Sequence, residues 1–361
     1  MKKLLLIDYY GTCDKKGQAI GHSSKVMKEY GELLKGEYEI SVAASPCLIN
    51  EIAEEHVKAF HRIYSLKYNI VTENMESLWK RLKDKFKLFY NIYQVFQLAE
   101  QDILWFYRTD FFLALYSYLF ISGKRKKKNS KIVVLLYQNS FGENILGRIL
   151  NHIYYAGFKK ADGIISTQKG FKDLGIPALY IPDYYYDAQK YEKYRRMEKE
   201  NKAVCIGTMN SYKKLNELVS AFNQNEYPLE IKGYFYDKNF YRDLDHKINQ
   251  NIVMEDKILT EEEYYRTLAG AKYTILPYDM EQYQCRTSGV LIESLFMNTT
   301  AIAPEQLLQE NHIEGIGYKN IEDLADSSYF TKKDAPDNSA VREEFDKEEI
   351  GKRLNRFMDS I

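Results

Sequence analysis

Cysteine and histidine are scarce in this sequence, and charge of neither sign is in excess. The four cysteines, Cys13, Cys47, Cys205 and Cys285, lie far apart and form neither a metal-binding nor a disulfide spacing, which fits a reducing cytosolic location. The six histidines include no pair four residues apart. Lysine plus arginine and aspartate plus glutamate each total 51, which argues against a nucleic-acid protein with a global basic field.

Long apolar runs are also missing. The N-terminus MKKLLLIDYY has a run of only four apolar residues before Asp8, too few for the core of a signal peptide. The longest uncharged apolar run near the middle, 111–123, has thirteen residues, whereas spanning a bilayer takes about 20. We therefore expect a cytoplasmic protein, either soluble or peripheral on the inner face of the cell membrane.

Tyrosine, in contrast, is abundant, with 32 residues. A tyrosine side chain offers a flat apolar surface and a hydroxyl group, which suits carbohydrate binding. An AT-rich genome would enrich tyrosine as well, so composition alone leaves both explanations open.

Short apolar runs alternate with longer helical patterns, which is typical of doubly wound α/β domains. In the first half, the runs that predict buried parallel strands are 2–10, 38–45, 102–107, 131–138, 162–168 and 178–182. Helical patterns lie between them at 22–35, 76–100 and 142–160.

The alternation stops at a highly charged segment and then starts again. The second set of predicted strands is 203–208, 229–234, 251–256, 273–278 and 299–304. We therefore predict one α/β domain over 1–187, a charged linker over 188–202, a second α/β domain over 203–338 and an amphipathic helix over 339–361. Two such domains facing each other would form a ligand-binding cleft at the carboxyl ends of both sheets.

One glutamate interrupts an apolar segment of the second domain. Glu293 is the only charged residue between Thr287 and Pro304, and a lone charge there is costly unless something pairs with it. Ser288 is placed to N-cap a helix starting at Gly289, where free N–H groups and the missing side chain suit a phosphate. Glu293, one turn later, would accept hydrogen bonds from two ribose hydroxyls. Alternatively, Ser288 only caps the helix and Glu293 faces solvent.

Cations lie next to two strand ends of this domain. Arg286 precedes the predicted helix and would make a bidentate contact to the same anion. Earlier in the domain a strand ends at Gly207, and the loop with Lys213 and Lys214 leads into a helix. Both loops follow the carboxyl ends of parallel strands, so we expect them at one edge, where a lysine complements a diphosphate. Alternatively, the lysine pair is a solvated helix face.

These two segments, 203–222 and 273–304, resemble the carboxyl-terminal domain of GT-B glycosyltransferases, most closely the retaining family 4 group. In the first segment, Gly207 and Lys213 match that group's Gly-Arg…Lys-Gly diphosphate loop. The second segment resembles its donor-binding helix, with Glu293 at the second of two glutamates spaced eight apart, the one that holds the nucleotide ribose. Residues 161–182 are similar to the end of the family's amino-terminal domain.

The sequence departs from the family pattern at several donor-side positions, among them Asn298 and Thr300, which stand where Gly and Pro are usual. Thr208 stands where the arginine after Gly207 is usual, and Cys285 stands at the position of the first glutamate. Glu281, in the loop before the helix, and Tyr278, at the strand end, are the residues that would contact the sugar instead. The donor sugar therefore does not follow from the resemblance.

The acceptor-side candidates lie in the first domain. Gly17 and Gly21 belong to a loop after the first strand that resembles the glycine-rich acceptor-side loop of GT-B enzymes, and His22 follows it. His22 would face the cleft, although a histidine at a helix start is also commonly structural. Gln138 and Asn139 take the place of a histidine that follows a central strand in the family.

Aromatic and basic residues occur together at two places in the first domain. An aromatic stretch precedes five consecutive basic residues, and the predicted helix over 79–96 is also basic and aromatic. Each lysine or arginine near an anionic leaflet is worth about 1 kcal/mol, so five would support reversible docking. Alternatively, the aromatic residues belong to the core. The basic run consists of Lys124, Arg125, Lys126, Lys127 and Lys128.

No metal or cofactor is expected. Asp243 and Asp245 match the Asp-x-Asp motif of metal-dependent transferases, but they lie in an amphipathic helical pattern rather than at a strand end. The resemblance implies a glycosyltransferase with two Rossmann-like domains facing across a cleft. It would move a sugar from a nucleotide-diphosphate sugar to a growing glycan on the cell surface, with retention and without metal.

Two alternatives stay open. One is a catalytically silent GT-B-like protein that partners an active transferase. The other is a different use of nucleotide sugars, by an epimerase or an inverting transferase, in which His22 would be the general base.

Overall fold

The computed structural model describes most of the chain in two compact units. The first unit comprises Met1–Pro182 and Glu348–Ile361, and the second comprises Asp183–Lys347. The described residues are 1–13, 23–34, 36–54, 60–71, 78–98, 100–121, 130–136, 141–142, 144–167, 173–210, 212–281, 283, 288–331 and 336–361.

The first unit is a parallel sheet with helices in the connections. Its strands are β1 (Lys2–Asp8), β2 (Thr12–Cys13), β3 (Tyr38–Ala44), β4 (Arg62–Ser65), β5 (Ile70–Val71), β6 (Ile103–Phe106), β7 (Lys131–Leu135), β8 (Gly163–Ser166) and β9 (Ala178–Tyr180). Its helices are α1 (Ser23–Leu33), α2 (Pro46–Glu54), α3 (Leu78–Leu98), α4 (Phe111–Phe120) and α5 (Ile145–Phe158). Within the described residues, seven strands form one sheet in the order β4-β3-β1-β6-β7-β8-β9, and β2 pairs with β5.

The second unit repeats this architecture. Its strands are β10 (Glu200–Ile206), β11 (Leu229–Gly233), β12 (Ile252–Asp256), β13 (Ala271–Ile275), β14 (Thr300–Pro304) and β15 (Ile316–Tyr318). Its helices are α6 (Ala188–Arg195), α7 (Leu215–Asn225), α8 (Lys238–Asp245), α9 (Glu261–Gly270), α10 (Gly289–Phe296), α11 (Glu305–Asn311) and α12 (Ser339–Glu344). The strand order β12-β11-β10-β13-β14-β15 is that of a doubly wound Rossmann sheet, with its switch point between β10 and β13.

The strands are buried because helices cover the sheets. All five residues of β14 are buried, as are the last four of β10 and the last five of β1. Two-sided burial explains why these strands are nearly continuous apolar runs in the sequence. The predicted α/β class with parallel sheets is confirmed.

The charged segment 188–202 is not a linker. It forms α6 and the start of β10, both within the second unit. Tyr191 and Tyr194 anchor α6, because both side chains are buried in the core of that unit. The charges therefore lie on the outside of a packed helix.

The predicted helix over 339–361 is divided into two. Residues 345–347 break it because Tyr186 donates its N–H to Phe345 O (2.6 Å) and accepts from Lys347 N (3.0 Å), a short strand-like pairing. The last helix, α13 (Lys347–Ser360), packs on the first unit, where Phe357 lies so close to Gly163 that a side chain at position 163 would clash. The chain thus returns to its first unit.

The Asp-x-Asp match lies on a surface helix, as the amphipathic pattern predicted. Asp243 and Asp245 are exposed in α8, and Leu244 between them is buried. Among the described residues no cluster of histidine, cysteine, aspartate and glutamate has a metal-binding arrangement. No helix in the described part of the chain is both long and apolar enough to span a bilayer.

Candidate functional site

The two loops that the sequence analysis singled out meet at the switch point of the second unit. They follow β10 and β13, which are adjacent and parallel. Two backbone hydrogen bonds join them, from Lys214 N to Pro277 O (2.8 Å) and from Asp279 N to Tyr212 O (2.7 Å). Ligands of doubly wound sheets bind outside the carboxyl ends of the strands at this point.

Gly207 allows the close packing of these elements. Its φ of +98° lies in the region that favours glycine, and its carbonyl oxygen occupies the space of a side chain at Gly233. A Cβ atom on Gly207 would lie 3.7 Å from Val290 Cγ2 and 4.0 Å from Lys213 Nζ. The strand end, the lysine and the first turn of α10 therefore converge at one position.

Lys213 is a buried cation without an anionic partner among the described residues. Lys213 as a whole residue is only 8 % exposed to solvent. The ammonium group donates to Ile206 O (2.9 Å) and contacts the sulfur of Met209 (3.6 Å). An ammonium has three donors, and neither partner is charged. Burial lowers the pKa of Lys213 because the charged form is poorly solvated there.

The N-terminus of α10 lies beside the same strand end, at Gly207. Ser288 is its N-cap, as the sequence predicted, and Ser288 Oγ accepts from Leu291 N (3.2 Å). The Ser288 hydroxyl also lies 3.1 Å from the hydroxyl of Tyr278, so the strand end and the helix start are joined. The first N–H groups of a helix have no acceptor within it, and the helix dipole makes that end positive.

Gly289 serves a packing role that the sequence did not predict. A Cβ atom at this position would lie 2.5 Å from the hydroxyl of Tyr184, so a larger residue here would displace the end of that side chain. The expectation that Gly289 lets a phosphate approach closely stays a prediction. Tyr184 belongs to the tyrosine run 184–186, which the sequence analysis passed over.

Two tyrosines of the preceding helix satisfy Glu293. The buried carboxylate accepts from Tyr264 Oη (2.6 Å) and from Tyr265 Oη (3.0 Å), both in α9. Burial, and next the charge of Glu293, raise the pKa of both tyrosines, so both stay protonated donors. The Tyr265 hydroxyl also lies 3.2 Å from that of Tyr191. Glu293 therefore does not face solvent, and these tyrosine hydroxyls take the place of water around its carboxylate.

The strand end after β13 carries a stacked aromatic pair. Tyr278 and Tyr283 lie with ring centroids 4.0 Å apart and planes 9° from parallel. Tyr278 is buried and forms an isolated antiparallel bridge with Lys213. Burial raises the pKa of Tyr278 well above its usual range, so its hydroxyl remains a donor. The tyrosine predicted to contact the sugar thus also supports the lysine loop.

The remaining donor-side candidates are more peripheral. Thr208 and Glu281 are exposed, and the N–H of Glu281 is bonded to Asp279 Oδ1 (3.1 Å). Lys214 Nζ lies 3.9 Å from the same carboxylate, whereas Lys213 has no carboxylate partner among the described residues. Several predicted residues lie outside the described residues, namely Gly17, Gly21, His22, Lys124, Arg125, Lys126, Lys127, Lys128, Gln138, Asn139, Cys285 and Arg286.

The switch point of the first unit holds a carboxylate that the sequence analysis missed. Asp8, at the end of β1, is buried, and its Oδ1 accepts from Tyr10 N and Gly11 N (2.9 Å each). Its Oδ2 is buried and has no hydrogen-bond partner within the described part of the chain, which is costly for a carboxylate. The position of Asp8, a lone acid near the end of the first predicted strand (2–10), was the available signal.

Comparison with known proteins identifies the fold. No family model and no curated sequence matches the chain. The solved structure of HepE from Anabaena, in complex with UDP and glucose, has 12% identity and a TM-score of 0.61 and covers all of both chains. The UDP-forming α,α-trehalose-phosphate synthase of Burkholderia xenovorans has 9% identity and a TM-score of 0.61, covering 99% of this chain and 100% of its own.

AviGT4, a glycosyltransferase of avilamycin A biosynthesis, is similar over 99% of this chain and 97% of its own, with 11% identity and a TM-score of 0.57. These similarities extend over both units of the chain. The two-domain α/β fold is therefore that of the GT-B glycosyltransferases, as the sequence resemblance implied.

Proposed function

We propose that the chain is a glycosyltransferase that binds a nucleotide-diphosphate sugar in its second unit. The observation that carries the proposal is the buried ammonium of Lys213, which has no anionic partner among the described residues and adjoins the N-terminus of α10. A buried charge without a counterion is costly, and a diphosphate would supply the missing anion. HepE, which has the same fold, is described with UDP and glucose.

The diphosphate is the leaving group of the reaction, and its negative charge grows as the sugar departs. Lys213, the first N–H groups of α10 and Arg286 would stabilise that charge. Positive groups held in place by the fold can do so without a divalent metal ion. Glu293, inside the first turns of α10, would hold the ribose, as the family resemblance implies.

The sugar would lie beyond the diphosphate, against Tyr278, Thr208 and Glu281. In a retaining transfer the bond between the anomeric carbon and the diphosphate breaks, and a bond to the acceptor oxygen forms on the same face. The acceptor proton passes to the departing phosphate, so no protein base is required. Gly17, Gly21, His22, Gln138 and Asn139 remain the acceptor-side candidates. Asp8 joins them because its buried Oδ2 needs a hydroxyl donor.

The acceptor that we propose is a growing cell-surface glycan, in a polysaccharide, glycolipid or glycoprotein. A lipid-linked acceptor would bring the enzyme to an anionic membrane surface, which Lys124, Arg125, Lys126, Lys127 and Lys128 would attract. The protein would then work in the cytoplasm at the inner face of the membrane.

Calorimetric titration with UDP, GDP and their sugars in EDTA tests donor binding. We expect micromolar affinity for one nucleotide, and a loss of about 1.5–3 kcal/mol in Glu293→Gln because a hydrogen-bonded charge is removed. The unfolding temperature of Glu293→Gln must be measured beside it, because the same change weakens the tyrosine contacts. The absence of binding by every nucleotide to the folded protein would overturn the proposal.

The second candidate is a catalytically silent GT-B protein that partners an active transferase. Thr208 and Cys285, which replace an arginine and a glutamate of the family pattern, favour it. Release of free sugar from the donor by the isolated chain, or transfer to an acceptor extract, separates the two functions. Nucleotide binding without either reaction would favour the silent partner, and the anomeric configuration of a product would distinguish retention from inversion.

A further inference from the structure

Exposed apolar side chains concentrate on three helices of the first unit. Among the described residues, fifteen large apolar side chains are exposed, and nine of them lie on α3, α4 and α5. Phe86 on α3 is 75 % exposed and Ile145 on α5 is 80 % exposed. A concentration of exposed apolar side chains on neighbouring elements is typical of a binding surface.

The three helices lie side by side. Phe89 of α3 contacts Phe112 of α4 with ring centroids 5.7 Å apart. Helices α4 and α5 approach so closely that a Cβ atom on Gly157 would lie 2.1 Å from Ala114 O. The exposed side chains of these helices therefore belong to one layer.

Periodicity places the exposed residues on the outer side of that layer. On α3, Phe86, Tyr90 and Tyr93 follow one another at the spacing of one helix face, and all three are exposed. The buried residues Leu88 and Ile92 occupy the opposite side of the helix. We call Phe86, Tyr93, Leu119, Ile145, Leu146 and Ile149 together the outer helix face; each of them is exposed.

The charged residues of these three helices are mostly basic. Their sequences contain six lysines or arginines and one acid, a net charge of +5, although the whole chain is neutral. The acid, Asp84, is bonded to Lys87 at 2.7 Å. Lys83 is exposed, and the ammonium of Lys85 lies 4.4 Å from the ring centroid of Phe112. Cations therefore stand among the apolar side chains.

We propose that the outer helix face docks on an anionic lipid membrane. A surface of aromatic and aliphatic side chains among basic ones matches the boundary between acyl chains and acidic headgroups. A second copy of the chain fits less well, because face-to-face pairing would bring two sets of like charges together. The proposal does not depend on the nucleotide-sugar function, but it would bring that enzyme to a lipid-linked acceptor.

Co-sedimentation with vesicles tests this surface. The full chain should sediment with phosphatidylcholine vesicles that contain phosphatidylglycerol, and not with phosphatidylcholine alone. The triple variant Ile145→Ser, Leu146→Ser, Ile149→Ser should bind at least about tenfold more weakly, because three exposed apolar side chains are lost. Lys83→Glu with Lys85→Glu should weaken binding most at low salt, where charges are least screened.

The matched control is the pair Val253→Ser and Ile258→Ser. These side chains are also exposed and apolar but belong to the second unit, so vesicle binding should not change. Failure of the full chain to bind anionic vesicles at low salt would overturn the proposal, and so would equal binding by the triple variant. A dimer that the triple variant dissociates, without lipid binding, would assign the face to a second copy instead. UDP titration of the triple variant reports the donor site separately.

Discussion

At the scale of single residues, two buried charged side chains of the second unit differ in the hydrogen-bond partners that surround them. Glu293 accepts hydrogen bonds from two tyrosines, whereas Lys213 has a carbonyl and a thioether as partners. The sequence could mark both as unusual, one as a lone charge in an apolar segment and one as a cation at a strand end. It could not predict the tyrosines, because packing between helices joins residues 28 and 29 positions apart.

Because Lys213 has no anionic partner in the described part of the chain, nucleotide binding should depend on pH. Burial holds its pKa below the usual lysine range, and a bound diphosphate would raise it again because the charged form is then paired. Affinity for UDP should therefore fall as the pH rises through the lowered pKa of the free protein. In the same window, binding should take up a proton, which titrations in buffers of different ionisation enthalpy measure. Proton release on binding would contradict this assignment.

At the scale of elements, the continuous apolar strands were predictable and the less regular elements were not. The predicted strands of both units are present because two-sided burial produces uniform apolar runs. The edge strand β4 was missed because its residues are mostly exposed, and α4 was missed because a uniformly apolar helix has no amphipathic period. Whether such a segment forms a strand or a helix depends on the elements that it packs against. The local sequence pattern carries no information about those elements.

Lys199 illustrates how one side chain joins several elements of the second unit. Its ammonium, with three donors, lies within hydrogen-bond distance of the carbonyl oxygens of Ala269, Ala271 and Met297 and of Thr299 Oγ1, at the ends of α9 and α10. Lys199→Met should lower the free energy of unfolding by about 1–2 kcal/mol at pH 8, because these acceptors lose their donor. Urea unfolding measures the difference.

The effect of Lys199 should also depend on pH. Burial lowers its pKa to about 8, whereas the unfolded chain has a pKa near 10.5. Between these values the unfolded chain binds more protons, so the Lys199 contribution to the free energy of unfolding rises with pH. The deficit of Lys199→Met should therefore widen between pH 8 and 9.5. A deficit that shrinks over this range would contradict the assignment.

At the scale of the whole molecule, the chain forms two α/β units of similar architecture, and its last helix returns to the first. The sequence predicted two such domains but not the return, since amphipathicity alone does not say which core a helix covers. Ile350, Leu354 and Met358 of α13 are buried. Lys2, in β1, is bonded to Asp359 at 2.9 Å.

Scanning calorimetry should show separate unfolding transitions for the two units. Leu354→Ala should lower the unfolding transition of the first unit, at a cost of about 2–5 kcal/mol for a buried leucine. UDP should raise the other transition, because a ligand stabilises the unit that binds it. If UDP raised the transition that Leu354→Ala lowers, the donor site would lie in the first unit.

The most direct test of the donor site is titration of UDP, or of whichever nucleotide the protein binds, into Lys213→Met, with Lys214→Met as the matched control. Lys213 is buried without an anionic partner among the described residues, whereas Lys214 lies 3.9 Å from Asp279. We predict that Lys213→Met loses about 1.5–3 kcal/mol of binding free energy, because a hydrogen-bonded charge is removed. The unfolding temperature of this variant should not fall, because the substitution also removes a buried charge. Lys214→Met should bind almost normally. Unchanged affinity in Lys213→Met, or an equal loss in both variants, would contradict the assignment of Lys213 to the diphosphate.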